Sequence, residues 1–508
     1  MTRVWFILAV LAIPFSDVYG LLPLGELQSE LSAYIFLPLL GVIIIERLLA
    51  SGSAQARDGL TNPIYLLPNL VLLMLGVIAF SGIMNLSDLL GPSLYGRYPI
   101  GKFMLSTMVM IYGFSLAYIS YHVTQRGSWH QLVIKPISIS IVMCAAVGFI
   151  EMLAPEGGLP AHLHAAISSA IHGGLSTATV SGGSDFWVED GRLRSVCFEP
   201  PALAAFAGFA WPWAYAGVAT ASRTRKPAYI AVLLLCTALI VFAMSRTSAV
   251  LLFGNIIVYI MLRFVYLPEQ PRSRTMLQMI SVLLIALATA VLAFGYMNLE
   301  GFSESIRNSN YSSNITRYSL ITSAINMFLT SPVWGYGFGQ FGFHYINYLP
   351  SWGYDSFEIR AYVAGIKGWP PVYSIYARLA AECGILGAVV WTGIWLSLVR
   401  GIWRATVAYQ RVTGKLLILS YPLIMSCICA LSSGLAIDSV RPPMMWLSFG
   451  MSCCYIHDVR SRLAAIRRQM STSGPFSLSP SFGLQELSPA GAAATGALSV
   501  PQGNLERR

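Results

Sequence analysis

The sequence predicts an all-α fold, namely a polytopic membrane helix bundle with about twelve transmembrane helices. Three observations carry this prediction. Hydrophobic residues make up 56% of the 508 residues and charged residues only 11%, whereas soluble proteins carry about 25% charged residues. Apolar runs of the roughly 20 residues that cross a bilayer recur along the chain. Lys and Arg crowd alternate connections between these runs, as in membrane proteins with a fixed orientation.

Each predicted span is an apolar run bounded by polar or turn-forming residues. The spans lie near residues 4–19, 31–50, 63–85, 101–121, 132–153, 200–221, 227–245, 247–265, 276–296, 373–399, 414–436 and 441–457. The first run also has the character of a signal peptide, because Arg3 precedes it. No small-residue cleavage motif follows the run, and we therefore expect a retained helix.

Lys and Arg also predict the orientation. With the N-terminus in the cytoplasm, the cytoplasmic segments hold 21 of the 32 Lys and Arg residues, in accord with the positive-inside rule. Both termini are then cytoplasmic. This distribution explains the formal net charge of +10 through membrane topology and contacts with membrane lipids, so no nucleic-acid partner is expected.

The spans divide the chain into six predicted segments. They are helices 1–5 in 1–154, a long outer loop at 155–199, helices 6–9 in 200–296, a larger outer loop at 297–372 before helix 10, helices 10–12 in 373–457, and a cytoplasmic tail at 458–508. The tail is rich in Ser, Pro, Gly and Ala after about residue 470, which predicts disorder. The second outer loop is longer than a connection requires, which points to function.

Eleven basic residues remain on the outer side or at outer helix ends despite the bias against them. Their retention suggests an anionic ligand, since the planar guanidinium of Arg matches phosphate with two parallel hydrogen bonds. We single out Arg246, Arg317 and Arg378, because other signals accompany each. Arg246 lies between two long apolar runs, which predicts a tight outer turn. The alternative is that such cations anchor the membrane interface or form salt bridges within loops.

Arg317 lies near the start of a predicted helix in the second outer loop. Tyr318, Ile321, Ile325 and Phe328 recur at helical spacing, which predicts a face that packs on the bundle or lies on the membrane surface.

Thirteen Trp, Tyr or Phe residues follow within the 40 residues from 334 to 373. Aromatic side chains of this kind form belts at membrane interfaces. As a set they also suit stacking against the flat faces of sugar rings at a boundary between water and lipid. We include Tyr318 and Tyr373 among the expected substrate contacts.

Glu199 lies in "CFEPP", where the sixth span begins. A carboxylate there gains from the helix dipole, which is the structural interpretation. The functional interpretation makes Glu199 a general base or an acceptor for a sugar hydroxyl, with Arg192 or Arg194 nearby. Earlier in the same loop, three histidines lack a carboxylate or cysteine at ligand spacing, and the eight cysteines show no zinc-site spacing. We expect the cysteines to pack in the core, and we expect neither a metal site nor a cofactor.

Arg378 and Glu382 lie four residues apart inside the apolar run "VYSIYARLAAECGILGAVVW". This spacing places them on one helix face and predicts an ion pair, which lowers the cost of burying each charge. Glu382 is then a structural anchor, and Arg378 points toward a phosphate. Gly384 and Gly387 are structural as well, since small residues allow another helix to approach closely.

The stretch "VYSIYARLAAECGILG" resembles the signature of the O-antigen polymerase and O-antigen ligase superfamily, in which Glu-x-Gly-x-x-Gly follows a His-Asn pair. Three other stretches are similar to family motifs: "MSRTSAVL", "RYSLITSAINMFLTSPVWGYGFGQF" and "CFEPPALAAF". The resemblance covers about residues 190–400. One position departs from it, since Tyr373-Ser374 stands where ligases typically carry His-Asn. The departure favours the polymerase branch and leaves the base open among Glu199, His344 and Glu358.

The resemblance implies a metal-independent glycosyltransferase in the bacterial inner membrane, with its active site facing the periplasm. The donor would be a glycan on polyprenyl diphosphate, and the acceptor a hydroxyl of another lipid-linked repeat unit. Arg246 and Arg317, with Arg378, would hold the diphosphate. A membrane protein that determines chain length is a further expected partner. The alternatives are a ligase that transfers glycan to a lipid core or protein, and a lipid or polysaccharide transporter or flippase without chemistry.

Overall fold

The computed structural model describes residues 2–16, 18, 27, 30–50, 66–125, 127–172, 192–266, 312–414 and 417–472. Within these residues the chain is helical and contains no β-strand, which confirms the predicted all-α membrane bundle. The principal helices are α1 Thr2–Leu11, α2 Leu31–Ala50, α3 Leu66–Met84, α4 Pro99–Gln125, α5 Lys135–Leu153, α6 Gly158–His172, α7 Pro200–Thr220, α8 Lys226–Phe242, α9 Arg246–Tyr266, α10 Ser312–Thr330, α11 Phe357–Val363, α12 Ile375–Thr413, α13 Ser420–Ser433 and α14 Pro443–Thr472.

Eleven of the twelve predicted spans coincide with helices, and the ninth, at 276–296, lies outside the described residues. Five stretches are long and apolar enough to cross a membrane by length and composition. They are Leu31–Leu49, Pro99–Gln125, His130–Leu153, Pro200–Thr220 and Ile375–Thr413. Helix α6 lies within the first predicted outer loop, so that segment is not all loop. Most of the predicted tail, from residue 473 onward, lies outside the described residues.

Helix α7 and the α4–α14 pair form much of the core of the bundle. Fifteen of the 21 residues of α7 are buried, and the helix packs on α8, α9 and α13. Helices α4 and α14 approach closely through small residues. Gly113 of α4 faces the indole of Trp446, and Gly450 of α14 faces the backbone carbonyl of Ala117. All eight cysteines are buried, which confirms the predicted core packing.

A second, smaller core lies between α10 and the segment that follows it. Leu320, Ala324 and Met327 of α10 are buried in this core. The predicted apolar face does not pack on the bundle, because Tyr318 is 58% exposed and Ile325 is 46% exposed. The other alternative, that this face lies on the membrane surface, stays a prediction. The buried face combines Leu320 and Met327 with the small residues Ser319, Ser323 and Ala324, which allow the outer segment to pack closely.

Helix α12 is interrupted near its start. Gly384 has φ 67° and ψ −167°, which breaks the helix nine residues after it begins. The segment 332–337, which contains Gly335, enters the break: its backbone N–H groups at Tyr336 and Gly337 donate to the carbonyls of Ala381 and Glu382, at 3.0 and 2.8 Å. A Cβ on Gly384 would collide with the carbonyl of Val333. The close approach predicted for this glycine is therefore made by a loop and not by another helix.

Candidate functional site

A cavity of about 280 Å³ lies where α4, α12 and α14 begin. We call this end of the bundle the site end. Lys102 and Arg378 are the fourth residues of α4 and α12, and Glu382 lies one turn further along α12. The segment before α14 contributes Asp438 and Arg441. The polar and aromatic side chains on its wall include Lys102, Trp369, Arg378, Glu382, Asp438 and Arg441. The cavity therefore combines cations, carboxylates and an indole within one enclosure.

Arg378 is held in this cavity by contacts on two sides. Its Nε lies 3.2 Å from Oε2 of Glu382, and its Nη1 donates to the backbone carbonyl of Asp438 at 3.0 Å. The guanidinium also lies 5.8 Å from the ring centroid of Phe338. The predicted ion pair thus forms. Because Asp438 belongs to the connection before α14, the pair also ties α12 to that connection.

Glu382 connects the ion pair to the inserted loop. Its side chain is 1% exposed, and its Oε1 accepts from the backbone N–H of Phe341 at 3.2 Å while Oε2 contacts Arg378. A buried carboxylate needs such partners, since an isolated buried charge is costly. Both oxygens are engaged, which fits the predicted anchoring role.

Gly387 does not face another helix. A Cβ there would meet Cys383 and the carbonyl of Leu379 of the same helix, at 2.5 and 2.9 Å. This crowding results from the break at Gly384, which brings the preceding turn close to the following one.

Glu199 forms the centre of a second cluster next to the cavity. It precedes α7 in an extended conformation, and its side chain makes no capping hydrogen bond to that helix. Burial raises the pKa of Glu199, and the guanidinium groups of Arg317, Arg192 and Arg441 oppose this rise. Three arginines from separate segments therefore lie within electrostatic reach of one carboxylate. We call this group the Glu199 cluster.

Arg317 reaches the Glu199 cluster from α10. Its guanidinium lies 5.0 Å from the ring centroid of Tyr373, within the range of a cation–π interaction. Its Nε is buried and has no hydrogen-bond partner among the described residues. A buried donor of this kind costs free energy until a partner fills its position. The arrangement therefore suits an anionic ligand.

Tyr373 occupies the position at which the family resemblance places a histidine. Its backbone has φ 61°, which is uncommon for a residue with a side chain. Burial raises the pKa of Tyr373 to about 12, with a smaller contribution from Glu358, and Arg317 opposes the rise. The phenol is consequently protonated near neutral pH. Unlike a histidine, whose pKa is about 6.5, it is not suited to accept a proton there.

The structure places His344 outside the cavity. Its ring packs on Tyr336, with centroids 4.8 Å apart, and it does not line the cavity. Burial lowers the pKa of His344, and Asp88 opposes this change. Glu358 pairs with Lys367 at 3.4 Å instead of facing the cavity.

The other predicted substrate contacts are dispersed. Arg194 is buried, donates to Ser168 at 3.1 Å, and has its backbone N–H near Glu151, so these contacts direct it toward α5 and α6. Arg246 begins α9 after a three-residue turn, as predicted, but its side chain lies outside the described part of the chain. Tyr318 lies mostly exposed on α10.

Sequence patterns did not identify three residues of the site. Lys102 and Arg441 carry only the weak signal of cations at outer helix ends. Asp438 lies in a short connection without periodicity, yet its Oδ2 accepts from the backbone N–H of Val372 at 2.7 Å. Their association with Arg378 depends on packing between segments far apart in the chain. Among the described residues, no group of three His, Cys, Asp or Glu side chains is arranged to hold a metal ion.

Comparison with known families identifies one matching region. Residues 231–392 match a family model described as O-antigen ligase. A search of curated proteins finds no match. The matched region contains Arg246, Arg317, Tyr373, Arg378 and Glu382, whereas the residues of the site that lie outside it are Lys102, Arg192, Glu199, Asp438 and Arg441.

Proposed function

We propose that this chain polymerises lipid-linked polysaccharide repeat units, because residues 231–392 match a family model described as O-antigen ligase and its motifs resemble those of the O-antigen polymerase and ligase superfamily. The donor is a glycan on polyprenyl diphosphate. The acceptor is a hydroxyl of another lipid-linked repeat unit, and transfer takes place at the periplasmic face of the bacterial inner membrane. The observation that carries this proposal is the position of Arg317, whose Nε is buried and whose guanidinium lies 5.0 Å from the Tyr373 ring centroid and acts with Arg192 and Arg441 on Glu199.

In the proposed reaction, the acceptor oxygen attacks the anomeric carbon of the donor. The bond between that carbon and the phosphate oxygen breaks, and polyprenyl diphosphate leaves with the bonding electrons. Arg317 and Arg192 stabilise the charge that develops on the diphosphate. Arg246, which begins α9, and Arg378 complete the set of cations in this proposal. Because arginines supply the positive charge, the proposed transfer does not depend on a metal ion.

Glu199 is the proposed general base. It takes the proton of the acceptor hydroxyl as the new bond forms. Its raised pKa makes its carboxylate a stronger base than an ordinary glutamate, and the neighbouring arginines favour its ionised form. His344 is the second candidate. Glu199 is the better supported choice, because three arginines act on it, whereas Asp88 is the charged group that acts on His344.

Incubation of the purified full-length protein with a synthetic polyprenyl-diphosphate repeat unit tests this proposal. A ladder of longer lipid-linked glycans, formed without added metal or nucleotide, is the expected product. Arg317→Ala should reduce ladder formation by at least a hundredfold, as expected for the loss of a donor that stabilises developing charge. Arg360→Ala is the matched control, because Arg360 contacts only backbone carbonyls within its own loop in the described structure, at Tyr354 and Asp355.

Ligase activity is the alternative that the description of the matched family favours. The same donor, supplied with a lipid-core acceptor, separates the two reactions. A single glycan transferred to the core, without ladders, would identify a ligase. Movement of the lipid across the bilayer without either product would identify a transporter or flippase.

A further inference from the structure

The cavity contains cations beyond those that the Glu199 cluster needs. Lys102 and Arg378 line the cavity, and Arg441 lines it as well while acting electrostatically on Glu199. The cavity also adjoins the cluster along the chain. Val372 lines the cavity, and the next residue, Tyr373, contacts Arg317 of the cluster. Two adjoining regions with positive charge therefore meet at Arg441.

The carboxylates of the cavity are engaged in holding its walls together. Glu382 binds Arg378 and the backbone N–H of Phe341. Asp438 binds the backbone N–H of Val372 through its side chain and Arg378 through its carbonyl. The cavity and the Glu199 cluster together hold five cationic side chains against three carboxylates, which leaves an excess of positive charge. The starts of α4, α12 and α14 add the positive ends of three helix dipoles to this excess.

The cavity also has an aromatic wall. Trp369 lines it and packs on Phe343, with ring centroids 4.5 Å apart, while the guanidinium of Arg97 lies 5.5 Å from the Trp369 ring. These contacts fix the indole in place. A fixed indole beside cations suits a ligand that has a flat apolar face and a negative charge, such as a sugar ring with an anionic substituent. The volume of about 280 Å³ suits one such ring with its substituent.

We propose that this cavity is the acceptor subsite and that it binds an anionic sugar of the acceptor glycan. The sugar ring stacks on Trp369, and Lys102 and Arg378 bind its negative group. That group is either a carboxylate on the ring or the diphosphate at its anomeric carbon, and both provide the same chemistry. The assignment of the ligand as the acceptor rests on the proposed transfer reaction, because it places the acceptor next to Glu199.

Calorimetric binding to the full-length protein in lipid nanodiscs tests the subsite without turnover. The probes are a neutral methyl glucoside oligosaccharide, its uronic acid counterpart, and a short-chain prenyl diphosphate of the same sugar. All are measured in Arg317→Ala protein, which weakens the Glu199 cluster. We expect at least one anionic probe to bind tenfold more tightly than the neutral one, and the stronger of the two identifies the anionic group.

Lys102→Gln should abolish most of this preference while leaving the affinity for the neutral probe unchanged. Lys226→Gln is the matched control, because Lys226 is also a lysine in the first turn of an apolar helix, but it is exposed and does not line the cavity. Trp369→Leu should weaken all three probes alike. Should Lys102→Gln fail to fold, as judged by its melting temperature, the ratio of neutral to anionic affinity at low and high salt in the parent protein decides the question.

Equal binding of neutral and anionic probes to the Arg317→Ala protein would overturn the proposal. So would a Lys102→Gln variant that loses neutral and anionic affinity in equal measure. Failure of the subsite is distinguishable from failure of the proposed function. An anion preference without glycan ladders would contradict the transfer reaction alone, and ladders without an anion preference would contradict the subsite alone.

Discussion

At the scale of single residues, the site separates charges that act on a ligand from charges that hold the protein. Arg378 and Glu382 were predictable as a pair, because their spacing of four residues places them on one helix face. Glu199 was predictable only as a carboxylate at a helix start. Its surroundings were not, since the three arginines near it come from a loop, from α10 and from the segment before α14.

Replacement of Glu199 tests its role as base. We expect Glu199→Gln to lower the rate of glycan transfer by about 10² to 10⁴, the usual contribution of a general base. Transfer in the parent protein should rise with pH, because only the deprotonated carboxylate accepts a proton. Burial raises the pKa of Glu199, so the midpoint should lie above that of an ordinary glutamate. Initial rates across pH check this. A Glu199→Gln variant with the same pH profile and rate as the parent would exclude Glu199 as the base.

Tyr373 offers a test of a residue that contributes through its ring. Tyr373→Phe should retain transfer within about threefold, because the ring still faces Arg317 and the phenol is not the base. Tyr373→Ala should lower transfer by about tenfold, in line with a partly buried cation–π interaction of roughly 1–2 kcal/mol. Initial rates at saturating donor check both variants. A Phe variant as impaired as the Ala variant would show that the hydroxyl is required.

At the scale of elements, the interruption of α12 is the main departure from the sequence prediction. An apolar run with two glycines predicts a continuous helix, because sequence periodicity contains no information on a loop from elsewhere in the chain. In the structure, Ser81 of α3 completes the junction. Its Oγ lies 2.6 Å from the carbonyl oxygen of Trp334 and 2.8 Å from that of Glu382. Asn85 donates to the carbonyl of Gly335 at 3.1 Å.

Two glycine substitutions in α12 test this junction against a control in the same helix. Gly384→Ala should lower the stability by several kcal/mol, because a Cβ collides with the Val333 carbonyl and φ is positive. Gly393→Ala should be neutral or slightly stabilising, since nothing lies within 4 Å of its Cβ position and Ala favours helix by about 1 kcal/mol. Thermal unfolding in nanodiscs measures both. Equal melting temperatures for the two variants would contradict the importance of the break.

Ser81→Ala tests the third component of the junction. The substitution removes a buried hydroxyl that contacts two carbonyl oxygens and should cost about 1–3 kcal/mol of stability. Ser115→Ala is the control, because the Ser115 hydroxyl bonds only the carbonyl of Ile111 in its own helix. The two melting temperatures in nanodiscs should differ by several degrees. A Ser81→Ala variant as stable as the control would show that α3 does not stabilise the junction.

At the scale of the whole molecule, the predicted topology and the structure agree that even-numbered spans begin at the same end of the bundle. Helices α4, α12 and α14 correspond to predicted spans 4, 10 and 12, and their starts meet at the site end. The start of α7, which is predicted span 6, adjoins it through Glu199, on which Arg441 acts. Even-numbered spans all enter the membrane from the same side, so this convergence is what alternation requires. The side of the membrane on which the site lies remains a prediction from the distribution of Lys and Arg.

Labelling of single introduced cysteines tests that orientation. All eight native cysteines are buried, so their background reactivity should be low. Ile366→Cys should react with a membrane-impermeant maleimide from the periplasmic side, because Ile366 is 82% exposed next to the site end. Arg462→Cys, at the far end of α14, should react only after the inner membrane is opened. The reverse pattern would place the site in the cytoplasm.

The break in α12 also has a consequence for the order of synthesis. Gly384 lies roughly 14 Å along the helix from its start, at 1.5 Å per residue, and backbone groups at such a depth need partners inside the protein. Among the residues that the structure describes, the groups that hydrogen-bond the backbone at the break are Ser81 and segment 332–337, and both precede α12 in the chain. When a ribosome releases α12, its partners have already been made. The interrupted helix can therefore pack directly against segments that are already made. In a circular permutant that begins at α12, the backbone groups at the break would leave the ribosome before their hydrogen-bond partners.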